Sequence, residues 1–202
     1  MKDKLKEAVR VYDKIASIYS KYNYEKLMQF QLTRFESLLK GKRILDVGCG
    51  VGRDVEYLMH DGYDVTGVDI SENMIKEAKK VIKKGKFEVM DFRKMKFKAK
   101  SFDGIWAMAS LYHIDRKDVE KSLKEFFRVL DVNGILYLAV YEGEGEVEVK
   151  KTEYGENKRT IYLYKDEEIR KSLEKVGFEI ISCEVNTTEN HKWLEVYAEK
   201  KG

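Results

Sequence analysis

The chain of 202 residues contains no proline, so every enzyme chemistry that depends on a proline beside the catalytic group is excluded. Cysteine is scarce. The two cysteines, Cys49 and Cys183, are too few for a disulfide framework and do not have the spacing of metal ligands, so we expect no metal site. The absence of a disulfide framework also predicts a reducing, cytoplasmic location. The charged opening "MKDKLKEAVR" predicts no signal peptide. No apolar run approaches the roughly 18 residues of a membrane span, so we expect no membrane partner.

An excess of charge of one sign is also missing, because 39 basic and 36 acidic residues leave a net charge of +3. This near-balance argues against nucleic acid as a partner, since nucleic-acid binders carry a strong basic excess. Charge itself is abundant, at 37% of residues against about 25% in ordinary proteins, and Lys and Glu dominate it. Such a composition is typical of a thermophilic source. The length suits one α/β domain, which we expect to be a monomer or homodimer.

The apolar pattern predicts alternating strands and helices between residues 43 and 140. The predicted strands are "RILDVG", "YDVTGVDI", "GKFEVMDF", "FDGIWAMAS" and "GILYLAV". Because the connections are short, the pattern indicates a parallel sheet with helices on both faces. Helical stretches over 2–22 and about 24–39 precede it, and Ser71 and Gly177 are typical helix caps.

The remaining segment has a different character. The stretch "EVEVKKTEYGENKRTIYLY" predicts a hairpin about the turn "YGEN", followed by a helix and two antiparallel strands. The predicted fold class is therefore α/β, a doubly wound, mostly parallel seven-stranded sheet whose last strand is antiparallel. An N-terminal helical lid and a hairpin inserted after the fifth strand complete it.

One turn concentrates the chemical information. In "RILDVGCGVGRDVEYL", the glycines Gly48, Gly50 and Gly52 alternate directly after the first strand, at the sheet edge where such folds bind ligands. The Lys-Ser/Thr of a phosphate loop is missing, and the spacing differs from the G-x-G-x-x-G of dinucleotide sites. Asp46 would repel a pyrophosphate at this position, so the turn suits a ligand that presents a cation.

Taken together, the motifs resemble those of the class I, Rossmann-like S-adenosylmethionine (SAM)-dependent methyltransferases of small-molecule type. "ILDVGCGVGRD", "VTGVDIS" and "FEVMDF" look like their first three motifs, and "SFDGIWAMASLYHI" and "VLDVNGILYLAV" look like the fourth and fifth. "YDKIASIYSKY" is similar to their N-terminal lid. The likeness covers essentially the whole chain. It implies SAM as cofactor, S-adenosylhomocysteine (SAH) as product, and in-line displacement of the methyl group.

The resemblance also implies a division of one domain, 1–202, into four parts. These are a helical lid, a cofactor-binding core, the inserted hairpin, and a C-terminal helix with a strand pair, at 1–40, 41–140, 141–164 and 165–202. Tyrosines of the lid and hairpin are expected to form a pocket wall for an apolar or planar acceptor, although they could instead cap the core. They are Tyr12, Tyr19, Tyr22, Tyr154, Tyr162 and Tyr164.

Roles for single residues follow from the same resemblance. Asp69, expected at an exposed strand end, would accept hydrogen bonds from both ribose hydroxyls, and Asp46 would orient the ammonium group. Asp91 and the Phe92 amide would bind adenine, and Ile70 would pack on its face. The remaining cofactor contacts would come from Gly48, Cys49, Gly50, Arg53, Ala107, Met108 and Tyr19.

Tyr112 and His113 are the candidate catalytic residues, because they follow the fourth strand where the acceptor pocket opens. His113 could act as a general base or be a structural, hydrogen-bonded histidine. With no proline, the Asn/Asp-Pro-Pro-Tyr/Phe and Pro-Cys motifs of amine and cytosine methylation are absent. A small-molecule acceptor is expected. RNA or protein methylation, a non-catalytic SAM-binding partner subunit and a nicotinamide oxidoreductase are the alternatives.

Overall fold

The computed structural model describes residues 4–23, 28–150, 157–188 and 191–202. The helices in these ranges are α1 (Lys4–Asn23), α2 (Gln29–Leu38), α3 (Arg53–His60), α4 (Glu72–Val81), α5 (Arg116–Val129) and α6 (Asp166–Val176). The strands are β1 (Arg43–Val47), β2 (Asp64–Asp69), β3 (Lys86–Val89), β4 (Phe102–Met108), β5 (Leu130–Tyr141), β6 (Glu146–Lys150), β7 (Lys158–Tyr162), β8 (Phe178–Thr187) and β9 (Lys192–Lys200). A short 3-10 turn, Leu111–His113, follows β4.

The main sheet has seven strands in the order β3-β2-β1-β4-β5-β9-β8. Strands β1 to β5 pair in parallel, and β9 is antiparallel to both of its neighbours. The predicted mostly parallel, seven-stranded fold with an antiparallel last strand is confirmed. From β1 the chain proceeds outward to β2 and β3 and then returns to β4 on the other side. This reversal opens a crevice at the carboxyl ends of β1 and β4.

Alternate residues of the central strands bury into opposite layers, as the period of a strand requires. Leu45 of β1 and Ile105 of β4 belong to a core that α5 and α6 cover, whereas Ile44 and Trp106 face a second core under α2, α3 and α4. Both faces of β1 are therefore buried, as is usual in parallel sheets. This packing holds the carboxyl ends of the strands in place and so positions the site.

Two predicted helix ends are confirmed. The Ser71 hydroxyl accepts a hydrogen bond of 3.1 Å from the Met74 amide at the start of α4, and Gly177, with φ of 110°, ends α6. One strand differs from the prediction. β5 begins at Leu130 instead of Gly134, because Leu130 pairs with Phe102 and the turn-like "DVNG" forms an irregularity within the strand.

Two elements lie outside the main sheet and over its carboxyl edge. β6 and β7 form the predicted hairpin as a separate two-stranded sheet, and α1 packs against both β7 and α4. Part of the predicted turn, with Tyr154, and the first residues of the predicted second helix, 24–27, lie outside the described residues. None of the described helices is long and apolar enough to span a membrane.

Candidate active site

A cavity of about 280 Å³ lies at the carboxyl ends of β1, β2 and β4. The glycine turn forms one side of it, and residues of α1 and β7 close it from above. The strand order predicts this position, because the order reverses its direction between β1 and β4 and leaves a crevice at their carboxyl ends.

The glycine turn offers the cavity a wall of main chain. The amides of Gly48 and Cys49 both donate to the Val68 carbonyl, at 2.8 and 3.0 Å, which anchors the turn on β2. Gly50 has φ of 53°, and a Cβ built there would meet only the Tyr19 ring, at 4.0 Å. A ligand can therefore lie directly on the backbone at Gly50.

Asp69 holds this turn in place. Its Oδ2 accepts a hydrogen bond of 2.9 Å from the Gly50 amide, and its Oδ1 accepts one of 2.8 Å from the Ser71 amide. The expectation of an exposed strand end is wrong, because these bonds keep the carboxylate half-buried on the cavity wall. Burial raises the pKa of Asp69 to about 6 even though the amides oppose the shift. Each carboxylate oxygen can accept a further hydrogen bond from a ligand.

Asp46 makes this end of the cavity acidic. Its side chain is 3% exposed and lines the cavity. Burial, followed by the negative charge of Asp54, raises the pKa of Asp46 well above its ordinary value, while Arg53 opposes the shift. A buried carboxyl with a raised pKa favours a bound cation, because a positive charge restores the ionised form.

Arg53 also lines the cavity, with two of its nitrogens engaged by a neighbour. Its Nε and Nη2 donate to the carboxylate of Asp54 at 2.6 and 2.9 Å, and Asp54 accepts a further bond of 2.9 Å from Trp106 Nε1. Asp54, itself held by the buried Trp106, therefore fixes the orientation of the Arg53 guanidinium. A role at a ligand carboxylate stays a prediction.

The structure does not bring every predicted cofactor residue to the cavity. Cys49, Ile70, Phe92 and Met108 line it, but Ala107 is buried in the core and Asp91 lies outside the lining. Arg93 donates to the carboxylate of Asp91 from Nη2 at 2.7 Å and from Nε at 3.0 Å. Burial also raises the pKa of the Cys49 thiol well above its ordinary value, which disfavours the thiolate form that a nucleophile needs.

The other end of the cavity is aromatic. Tyr12 of α1 shares a hydrogen bond of 3.1 Å with His113 Nε2. The ring of Tyr112 meets that of His113 edge-on at 4.5 Å and stacks on Tyr141 at 5.2 Å. Burial, and then the charge of Arg159, lowers the pKa of His113 to about 3, so its ring is neutral at physiological pH.

Of the predicted wall tyrosines that the structure describes, only some line the cavity. Tyr12 and Tyr19 line the cavity, whereas Tyr22 is 54% exposed and the Tyr162 hydroxyl donates to Asp115 at 2.9 Å. Tyr164 is buried outside the lining. Tyr141 takes part in the wall instead, from the end of β5.

Sequence reasoning missed Arg159 of β7, which lines the cavity and is 6% exposed. A signal was available, because Arg159 and Ile161 alternate on one face of a predicted strand and that face is buried. A charged residue on such a face needs a partner or a ligand. Within the described ranges, no group of three or more His, Cys, Asp or Glu side chains could hold a metal ion.

Comparison with known proteins places this geometry in a family. A model described as a methyltransferase domain matches residues 45–138. The chain is 36% identical over 108 residues to a 2-methyl-6-phytyl-1,4-hydroquinone methyltransferase of Synechocystis, covering 52% of this chain and 33% of the relative. It is 36% identical over 132 residues to an S-adenosyl-L-methionine-dependent Diels-Alderase of Talaromyces variabilis, covering 61% of this chain and 44% of the relative.

The chain thus spans less than half the length of these curated relatives. A solved SAM-dependent methyltransferase from Methanosarcina mazei matches with a TM-score of 0.77 and 26% identity, covering 83% of this chain and 97% of that one. SAM is the cofactor of this family, and the acidic glycine turn fits its cationic methionine portion. Residues 45–138 form a methyltransferase domain, and the fold of the chain is that of the class I SAM-dependent methyltransferases.

Proposed function

We propose that the chain transfers a methyl group from SAM to a small-molecule acceptor by in-line displacement. The observation that carries this is the pairing of an acidic glycine turn, formed around Asp46, Gly50 and Asp69, with an aromatic compartment in the same cavity. When bound, SAM supplies a methyl group on a sulfonium, which is already a strong electrophile.

The residues at the turn then bind and orient the cofactor. Asp69 would accept hydrogen bonds from the ribose hydroxyls while it keeps the Gly50 amide in place. Asp46 attracts the ammonium end through its charge. Arg53, Ile70, Phe92, Met108 and Tyr19 complete the surroundings. Asp91 and Ala107 could contact the cofactor only if the packing around them changed, since neither residue lines the cavity.

The aromatic residues position the acceptor and exclude water. His113, with a pKa near 3, is too weak a base to hold a proton at neutral pH. Its role is instead to fix Tyr12 and thereby α1 over the cavity. Positioning and desolvation supply the catalysis, which is sufficient for a methyl donor of this reactivity.

The size of the cavity supports a small acceptor. About 280 Å³ lies beneath α1 and β7, and this partly covered space suits an acceptor of low molecular weight. The hydroquinone methyltransferase relative acts on a small aromatic compound by its name. The lid and hairpin division and the reducing cytoplasmic location are parts of the same proposal.

A second candidate function comes from the Diels-Alderase relative, which depends on SAM by its name but is not named for methyl transfer. Turnover separates the two. We expect isothermal titration calorimetry to show micromolar binding of SAM and SAH without comparable binding of NAD. We expect SAH release when a panel of phenols, hydroquinones, amines and thiols is added. Cofactor binding without SAH release from any acceptor would favour the second candidate, and tight NAD binding would contradict both.

A further inference from the structure

Arg159 is a buried cation without a counter-ion in the part of the chain that the structure describes. It is 6% exposed, lines the cavity, and neither its Nε nor its Nη1 has a hydrogen-bond partner. The Tyr12 hydroxyl is a hydrogen-bond partner of this guanidinium, but burying a cation whose other N–H groups are unsatisfied is costly. A partner for these nitrogens is therefore expected to arrive with a ligand.

The residues around Arg159 indicate which chemical groups that ligand carries. Its Cζ lies 5.1 Å from the centroid of the Tyr12 ring. Two other buried polar atoms on the cavity wall, Ser110 Oγ and His113 Nδ1, also have no hydrogen-bond partner. The neighbouring walls are flat rings, Tyr112 and Tyr141. The cavity thus combines hydrogen-bonding groups with surfaces for a planar ring.

Arg159 lies among the aromatic residues of the cavity, since its guanidinium is over the Tyr12 ring and its charge acts on the pKa values of His113 and Tyr141. The charge of Arg53 acts on the pKa of Asp46 beside the glycine turn, and Tyr19 lies near both arginines. The acidic end suits the cationic methionine portion of SAM, so the basic end remains for the acceptor.

We propose that Arg159 binds an anionic group of the acceptor, a carboxylate on a planar ring, through the guanidinium N–H groups that have no hydrogen-bond partner. A guanidinium is a strong hydrogen-bond donor to carboxylates, and the tyrosines hold the ring. This inference rests on the proposed methyltransferase function, and it makes the hairpin a determinant of substrate choice.

Matched acids and amides test the proposal. Benzoate, 4-hydroxybenzoate and indole-3-carboxylate are titrated by calorimetry against the full chain, each beside its uncharged carboxamide, with and without saturating SAH. We expect each acid that binds to do so about tenfold or more tightly than its amide. Arg159→Gln should abolish this preference, and Arg159→Lys should retain part of it. Lys158→Gln is the control, since it removes an exposed charge from the same strand that pairs with Glu148.

Three results would overturn the proposal. One is equal affinity of acids and amides, or no binding of any acid, in the original chain. Another is an unchanged acid preference in Arg159→Gln with a thermal midpoint like that of Lys158→Gln. The third is a loss of SAH affinity in Arg159→Gln while 5′-methylthioadenosine, which lacks the amino-acid portion, binds as before. That result would assign Arg159 to the cofactor carboxylate. Failure of SAH to bind the original chain would contradict the proposed function separately, because the acid titrations without SAH are still informative.

Discussion

The hydroxyl of Tyr12 lies 3.1 Å from Nε2 of His113, which connects the first helix to the turn that follows β4. A second connection is made nearby, where the Ser71 hydroxyl donates to Asp13 at 2.5 Å. Both bonds join α1 to the carboxyl edge of the sheet. The position of α1 over the cavity is therefore set by specific polar contacts in addition to the packing of Ile15 and Ala16.

Tyr12→Phe removes the hydrogen bonds of the hydroxyl to His113 and Arg159 while it keeps the ring. We expect a loss of about 1 kcal/mol of stability and a marked fall in methyl transfer, with SAH affinity little changed. Hydrogen exchange at residues 12–22 should become faster, and SAH should protect this segment less than in the original chain. Tyr22→Phe is the control, because Tyr22 is exposed. Equal activity in the two variants would remove α1 from the mechanism.

Asp69→Ala removes the expected acceptor of the ribose hydroxyls and the bonds to Gly50 and Ser71. Hydrogen bonds to a charged group are worth roughly 1.5–3 kcal/mol, so SAH affinity should fall about tenfold or more in calorimetry. Asp64→Ala tests an exposed aspartate on the same strand, paired with Lys86, and should bind SAH normally. Unchanged affinity in Asp69→Ala would show that the ribose binds elsewhere.

The pH dependence of cofactor binding follows from the same residue. Asp69 has a pKa of about 6 in the free protein, and the ribose hydroxyls require its ionised form. SAH affinity should therefore fall by about tenfold per pH unit below 6 and change little from this group above it. Calorimetry at pH 6 in buffers of different ionisation enthalpy should detect proton release. That release should be smaller in Asp69→Asn than in the original chain, and the remainder there should come from Asp46, whose carboxyl group ionises when the ammonium group binds.

Gly50→Ala places a methyl group on the wall of the cofactor site. The change costs about 1–2 kcal/mol in the left-handed conformation at φ of 53°, and its Cβ would point into open space near Tyr19. We expect a folded protein without measurable SAH affinity. Gly62→Ala imposes similar strain at φ of 87° and lies away from the cavity, so it should lose comparable stability in thermal unfolding and bind SAH normally. Normal binding in both variants would contradict the backbone role of the turn.

The parts of the site that local sequence determines could be predicted. The positions of Gly48, Gly50 and Asp69 follow from strand ends and turn chemistry, both of which depend on neighbours along the chain. The parallel sheet with helices on both faces followed from the alternation of short strands and helices for the same reason. Asp69 was nevertheless expected to be exposed, since its bond to the Gly50 amide spans 19 positions and leaves no local pattern.

Contacts between distant segments were beyond prediction. The alternation of Arg159 with Ile161 indicates that the two residues share one face of the strand, but it does not specify that the hairpin packs against α1 and so brings Arg159 to the cavity. Asp91 illustrates the converse. Its motif suggests a ligand contact, but Arg93 two positions later binds the carboxylate. The early start of β5 at Leu130 likewise depends on Phe102 of another strand, which overrides the turn propensity of "DVNG".

The two elements that close the cavity take no part in the pairing of the seven-stranded sheet. Mutations in α1 or β7 therefore alter the cavity roof while the strands that carry the glycine turn keep their partners. After gene duplication, one copy can change its roof and keep its methyl-donor site intact. Descendants of such a chain would diverge fastest in the first helix and the hairpin, so an alignment should show these segments as the most variable parts of an otherwise stable framework.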